Sequence, residues 1–521
     1  CKLITGQIMR RANASKGRSN NRRVGRKRLN QKPTKALRLP RNAPEIDLTI
    51  RFVGSRGDGI GSASYTVGHE TKDWPFYVPG SLEGEQVRVK PQRVTGQGLT
   101  AELVELLTPN PSRSAPVCDV FAGLKGCGGC SLQHMNEAAY RDWKLDQLER
   151  VFDKAGFGIA NKMAPPFVMP VWTQMSGRRR VRLSYRQTAQ AFIVGFTGRA
   201  SHFIYPLKNC GVLQIELKQL ITQLHEWAAP HLPAGQSGQI AINLLSSGAD
   251  ILLLPDDTLA DKVLTALSAG LDSLPVCRLC VRQPEADIPL LLAEKAPAVL
   301  QLERAIGGHN LYPSPGCFLQ ASTEAETALI QAVLRSAAAR TDRLQTGRPL
   351  RVMDLYCGVG TFTLPLLGNG AKVTCYEADR TAIDSLLAAT QAAGLRASCS
   401  THSRDLVVAP VRAEEFCTAK GEPEFDLILL DPPRQGAAEQ TAQLVELADL
   451  LYEDASDSVP DIVPDIVMVS CNPHTAVRDI AVLVAAGWQL EEVQMIDQFV
   501  RTAHTEIVTR LVFDGRQNTR R

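Results

Sequence analysis

No stretch of the 521 residues approaches the roughly 18 consecutive apolar residues of a membrane span. The N-terminus also lacks the apolar core of a secretory signal. No membrane partner is expected, and a cytoplasmic location is. Acidic residues are missing from the first 44 positions, which hold 14 Lys and Arg. The rest of the chain therefore carries 44 of the 58 basic residues against all 54 acidic ones, a net −10. A segment of that composition cannot bury a core and is expected to be disordered. It could bind nucleic-acid phosphates through counterion release; the alternatives are a solvated extension or an organelle-targeting peptide. The chain begins at Cys1, with Met9 as a candidate initiation site.

Thirteen cysteines in a cytoplasmic-type chain argue against a disulfide framework. Those with meaningful spacing are better read as metal ligands or catalysts. Cys118, Cys127, Cys130 and the distant Cys210 make a four-thiolate set, which suits zinc or a [4Fe–4S] cluster; spacing alone does not choose between them. Cys277 and Cys280 fall in an apparent strand, point to opposite faces and read as core. Cys357, Cys375, Cys399 and Cys417 read as packing thiols, and Cys317 is unassigned.

Residues 45–108 contain five strand-like runs separated by Gly-rich turns, a pattern that suggests an OB-like barrel. "TPNPSRSAP" (108–116) is a linker. Residues 109–321 mix strands ("RRRVRLSYR", "AFIVGF", "GQIAINLL", "ADILLLP") with helices ("EAAYRDWKLDQLERVF", "LKQLITQLHEWAA"). The Arg178–Arg186 run puts alternate arginines on one side of a strand, as phosphate contacts or as a solvated edge. From 322 to the end, βα alternation with continuous apolar strands predicts a doubly wound α/β domain.

In such a domain ligands bind beyond the carboxyl ends of the strands. Gly358 and Gly360 follow the first strand, and Glu377 ends the next, 23 residues after Asp354, where an acid can hold a ribose. No G-x-G-x-x-G is present, because position 363 is Thr; a dinucleotide pyrophosphate lacks its usual seat. A nucleoside without phosphates, such as S-adenosylmethionine (SAM), fits better. Asp354 could face its positive methionine end. Asp431 ends the fourth strand in "LLDPPRQG". Arg434 stands where an aromatic would point to amino-group methylation. Cys471 ends the fifth strand and is aimed at the same crevice. No Pro-Cys pair surrounds it, which argues against RNA cytosine methylation.

These segments resemble the RNA 5-methyluridine methyltransferase family: "DLYCGVGTFTLPL", "LLDPPRQGA", "VSCNPHTAVRD", "FVRTAHTE" and, upstream, "FLQAS". The likeness covers nearly all of 45–514. It is nearest to the branch that carries a TRAM RNA-binding domain and an iron–sulfur cluster and acts on 23S rRNA. It implies a Rossmann-like SAM methyltransferase domain (322–521). Before it would come a TRAM OB-like barrel (45–108) and a cluster segment with an α+β central domain (109–321). It implies Cys471 as the nucleophile that adds to uracil C6 and Glu506 as the base that removes the C5 proton. It further implies Gln320, Tyr356, Gly358, Thr361, Glu377, Asp405 and Asp431 around SAM. A [4Fe–4S] cluster on Cys118, Cys127, Cys130 and Cys210 completes the set, in a monomer acting on RNA. Arg434 and Asp431 would hold the uracil edge, and His504 is either part of that motif or a polar core residue. Val500, Thr361 and Ala321-Ser322 depart from the usual family residues. A tRNA uridine target, cytosine methylation and a non-enzymatic ribosome-assembly role are the alternatives.

Overall fold

The computed structural model describes residues 37–158, 166–199, 201–419, 421–453 and 463–514. Most of the basic tail lies outside them. Three large sheets follow one another along the chain. The first gathers β1 (Leu37–Arg38), β2 (Ile46–Thr49), β3 (Phe52–Val53), β4 (Asp58–Val67), β5 (Glu70–Pro79), β6 (Gln86–Thr95) and β7 (Gly98–Thr108). Five strands were expected from sequence. The run "IDLTIRFV" splits into β2 and β3, and β1 is added at the edge against β6. Alternate residues of these strands, among them Phe76, Val78, Val87, Val89 and Leu99, close a small core.

A linker and the cysteine segment lead to α1 (Glu137–Lys154), capped by Asn136, whose side chain accepts from Ala139 N. The second sheet has the order β11-β10-β9-β12-β13-β14-β15. Its strands are β9 (Arg180–Gln187), β10 (Phe192–Thr197), β11 (Ile204–Pro206), β12 (Ser237–Leu245), β13 (Gly248–Pro255), β14 (Val276–Val281) and β15 (Leu290–Glu294). Helices α2 (Ile215–Ala228) and α3 (Asp261–Ala269) cover one face. Cys277 and Cys280 lie buried in β14, as expected. A two-stranded ribbon, β16 (Leu300–Gln301) and β17 (Asn310–Leu311), precedes the last domain.

The third sheet has eight strands in the order β20-β19-β18-β21-β22-β24-β23-β8. Its parallel part is β18 (Arg351–Leu355), β19 (Lys372–Glu377), β20 (Cys399–Ser403), β21 (Leu427–Leu430) and β22 (Asp465–Ser470). Their side chains alternate between two cores. Val352, Leu429 and Val467 face α4 (Thr323–Leu344), α5 (Thr363–Gly368) and α6 (Arg380–Ala392). Met353, Ile428 and Met468 face α7 (Ala438–Glu453), α8 (Pro473–Ala485) and Leu148 and Phe152 of α1. The doubly wound reading holds for these five strands. The last two, β23 (Trp488–Asp497) and β24 (Glu506–Phe513), form an antiparallel hairpin. Only residues 498–505 separate them, too few for the crossover that a parallel pair needs. β8 (Val171–Trp172) adds an edge strand from the middle of the chain. No described helix is long and apolar enough to cross a membrane.

The floor of this sheet is fixed by charge. Asp426 accepts from both Arg348 and Arg351, and from the backbone N–H of Arg351. Burial pushes its carboxyl up, but these bonds win and hold it down at about 2. The folded value lies below the unfolded one, so the stabilisation is present above about pH 4 and is lost as pH falls through 2. Asp426→Asn should therefore cost about 2 kcal/mol near pH 7. In urea unfolding the difference should shrink as pH falls from about 4 towards 2.

Candidate active site

The sulfur of Cys471 sits where β22 ends and α8 begins. Asn472 caps that helix through a bond from His474 N, and Pro473 occupies its first turn. The thiol therefore stands near a helix N-terminus, whose partial positive charge favours a thiolate. Cys471 is half-buried and lines a cleft of about 710 Å³. The cleft is walled by Arg56 from the first sheet, Gly128–Ser131 from the cysteine segment, Gln147 of α1, and Arg434, His474 and His504. His504 is exposed on this wall, which corrects the polar-core alternative.

Two loops are tied together beside the thiol. Asn472 Nδ2 and Thr475 Oγ1 both donate to the carbonyl of Arg434, at 3.1 and 3.2 Å. Burial, Glu506 and Asp431 push the Cys471 thiol up to about 11, while the Arg434 guanidinium pulls it down. Glu506, the first residue of β24, is buried; its carboxyl is pushed up to about 7 by that burial. Gln498, Arg434 and Lys144 oppose the shift. The carboxyl raises the thiol, and the two share Arg434 as counter-charge.

The hairpin turn that carries Glu506 is locked by α1. Lys144 is sealed from solvent, 3.0 Å from Asp497, and also donates to the carbonyl of His504. Tyr140 donates to Asp497 at 2.7 Å and accepts from Arg501 N. Arg501 has φ +60°, and its carbonyl accepts from both Ser131 N and Leu132 N. Gln498 is fixed at both ends: its Oε1 accepts from Ala321 N at 2.8 Å, which leaves Nε2 to donate to Glu506 Oε2 at 3.2 Å. The sequence reading missed Tyr140, Lys144, Asp497 and Gln498. The one available signal was Lys144 on the apolar stripe of an amphipathic helix.

Most of the expected cofactor residues lie at or just beyond the carboxyl ends of β18, β19 and β21; Asp405 follows β20, and Gln320 precedes α4. Tyr356 takes a left-handed backbone (φ +66°) so that its N–H and that of Cys357 both reach the carbonyl of Tyr376. Gly358 also has positive φ, and a Cβ there would meet nothing, so the glycine is needed for conformation. At Gly360 a Cβ would lie 2.5 Å from Leu386. Glu377 accepts from Gly358 N and Asp379 N, so both of its oxygens already order the turn. Thr361 is buried, and Asp405 accepts from Val407 N in the loop after β20.

Asp354 accepts from Thr363 at 2.6 Å; its other oxygen has no partner, and burial pushes the carboxyl up to about 7. Gln320 is buried, and its Oε1 is likewise unpartnered. Asp431 is half-buried and raised well above the usual carboxylate range, by burial and then by Glu506, Asp354 and Glu377. A crowd of carboxylates, with one Asp354 oxygen and the Gln320 amide oxygen without a partner among the described residues, fits a ligand that carries an ammonium and a sulfonium.

Cys118, Cys127, Cys130 and Cys210 line one pocket with Phe121, Phe196, Leu207 and Val212. Burial pushes Cys127 up to about 11 and Cys130 up to about 12. The four thiols thus gather as the spacing suggested. Among the described residues, however, no group of three or more His, Cys, Asp or Glu is arranged to hold a metal ion. The expected metal site is met only as far as the shared pocket. Of the arginine run, Arg179 is buried and paired with Glu326, so it is not available to phosphates.

The profile of the tRNA (Uracil-5-)-methyltransferase family matches residues 313–512. An uncharacterized RNA methyltransferase of Caulobacter vibrioides is 33% identical over 89% of this chain and 98% of its own. The 23S rRNA (uracil(1939)-C(5))-methyltransferase RlmD of Aeromonas hydrophila is 28% identical over 91% of this chain and 97% of its own. Among solved structures, a tRNA (uracil-54, C5)-methyltransferase of Pyrococcus abyssi, crystallised with S-adenosyl-L-homocysteine, shares the fold with a TM-score of 0.62. Its identity is 18%, over 90% of this chain and all of that one.

Arg434→Gln removes the cation that favours the Cys471 thiolate. The midpoint of iodoacetamide labelling at Cys471, followed by mass spectrometry against pH, should rise. The labelling rate at pH 8 should fall severalfold, on the order of one pKa unit. An unchanged profile would mean that Arg434 does not act on the sulfur.

Proposed function

The chain belongs to the SAM-dependent RNA (uracil-5-)methyltransferase family, and on that premise we propose that it methylates uridine C5 in RNA, with 23S rRNA as the target, through Cys471 and Glu506. One observation carries the mechanism: the Cys471 thiol lines a cleft that opens to solvent, and both the buried Glu506 carboxyl and the Arg434 guanidinium act on it, beside a crowd of carboxylates suited to a cation. SAM, held by Gln320, Tyr356, Gly358, Thr361, Glu377, Asp405 and Asp431, supplies an electrophilic methyl group.

The chain's own residues make C5 able to take it. Uracil C5 is a weak nucleophile. Addition of the Cys471 thiolate to C6 forms a C–S bond and moves electron density onto C5. Arg434 favours that thiolate and could also steady the uracil edge, together with Asp431. After transfer, C5 still bears its proton. Glu506 takes it as general base, the electron pair re-forms the C5–C6 double bond, and the sulfur leaves. Gln498 keeps Glu506 Oε2 facing a donor, which holds the carboxyl nearer its ionised form. With that carboxyl near 7, product release should slow as pH falls below about 7. The target base is flipped out or already unpaired in order to reach the pocket.

The first sheet is read as the TRAM-type RNA-binding unit, and the four-thiol pocket as the seat of a [4Fe–4S] cluster. The pocket's four sulfurs and apolar wall are what support the cluster. Protein purified without oxygen should show broad visible absorption and about four irons per chain. A colourless protein with one zinc would replace the assignment.

RNA containing 5-fluorouridine should form an SDS-stable complex with the wild-type chain and none with Cys471→Ala. On ordinary RNA, Glu506→Gln should accumulate methylated covalent complex and slow release by about 10²–10⁴. Retained turnover in Cys471→Ala would remove the mechanism. Mapping of 5-methyluridine in rRNA from cells lacking the gene tests the target.

A further inference from the structure

The second sheet leaves one face partly open, and that face carries charge the methylation chemistry does not use. β9 lies inside the sheet, between β10 and β12, so its arginines are not on an edge. Its residues Val181, Leu183 and Tyr185 are buried in the core that contains α2 and α3. Arg180, Arg182 and Arg186 therefore project from the opposite face. Arg182 and Arg186 are exposed, and neither forms an ion pair among the described residues.

The row runs towards the cofactor end of the molecule. The segment 313–318 crosses the same face: Gly316 packs on Leu252, the carbonyl of Cys317 accepts from Asn243, and that of Pro313 accepts from Arg278. Asn243 is the register partner of Arg180. Phe318 then emerges 57% exposed, with the Arg180 guanidinium 4.6 Å from its ring centroid. Two residues further on is the buried Gln320. Arg180 is pulled below its ordinary value by burial; Cys317 opposes that, and the neighbouring cations Arg182 and Arg178 add to it. Like charges kept together in this way are relieved by a polyanion.

We propose that this face docks single-stranded RNA next to the target nucleotide, with Arg180, Arg182 and Arg186 on successive phosphates and Phe318 stacked on a base. Guanidinium rows give sequence-independent phosphate contacts, and an exposed aromatic beside them gives a stacking platform. An acidic protein segment would satisfy the charges but would leave the exposed ring without a partner, which is why RNA is preferred. The proposal rests on the RNA-methylating reading above and extends it to a second surface.

The test uses the full chain and a fluorescein-labelled 20-nucleotide oligouridine RNA. Arg182→Gln/Arg186→Gln, two exposed positions, should weaken binding about tenfold at 0.1 M salt. It should also lower the slope of log K against log salt by about 1.4, at roughly 0.7 per phosphate contact. Phe318→Ala should weaken binding about fivefold and leave the slope unchanged. Thermal melting of both variants should match wild type. Unchanged affinity and slope in the double variant would overturn the surface, as would arginine-dependent binding of polyglutamate in place of RNA. The 5-fluorouridine trap separates the two readings. Normal trapping with arginine-independent binding removes this surface alone; arginine-dependent binding without trapping removes the Cys471 chemistry alone.

Discussion

A single ammonium group holds the site together. Lys144 is sealed from solvent between Asp497 and the carbonyl of His504, so it bonds both ends of the turn between β23 and β24. Burying an ammonium is costly unless it is paired and hydrogen-bonded. Here the pairing partners are the residues that set where β24 begins, and β24 begins at Glu506. Tyr140, one helical turn before Lys144, bonds the same Asp497 and also Arg501 N. A helix that follows the cysteine segment in sequence thereby fixes the geometry of the last hairpin, more than 350 residues later.

The cysteine segment reaches the same turn. Ser131 N and Leu132 N, immediately after Cys130, both donate to the carbonyl of Arg501, whose left-handed backbone presents it to them. The Arg178 guanidinium lies 5.7 Å from the ring centroid of Phe499, within that turn. The thiol pocket and the turn that carries Glu506 are thus parts of one packed unit. Gln498 links that unit to the segment that follows Phe318, so cofactor-side and base-side elements meet at one amide.

Electrostatics at the site run against the charges the chemistry needs. Burial favours a neutral thiol at Cys471 and pushes the Glu506 carboxyl up to about 7. Arg434 is the cation that opposes both. Bound SAM would add positive charge among Asp354, Glu377 and Asp431, where carboxylates now repel one another. Functional sites commonly gather such mismatched groups, because a ligand completes them.

Much of this was legible in the sequence. Continuous apolar strands ending in Asp354, Asp431 and Cys471 determined the doubly wound domain and the rim to which its functional side chains belong, because strand period and strand ends are local properties. The spacing of Cys118, Cys127, Cys130 and Cys210 identified the thiols that share a pocket, although among the described residues no group of three or more is arranged to hold an ion. Only the tertiary structure decided that the last two strands pair antiparallel, that Arg179 is a buried ion-pair partner while Arg182 and Arg186 form no ion pair among the described residues on an open face, and that Lys144, Asp497 and Gln498 hold Glu506. Those facts depend on contacts between residues up to 360 positions apart. A buried charge or amide gives no local pattern, because its meaning lies wholly in the partner that folding brings to it.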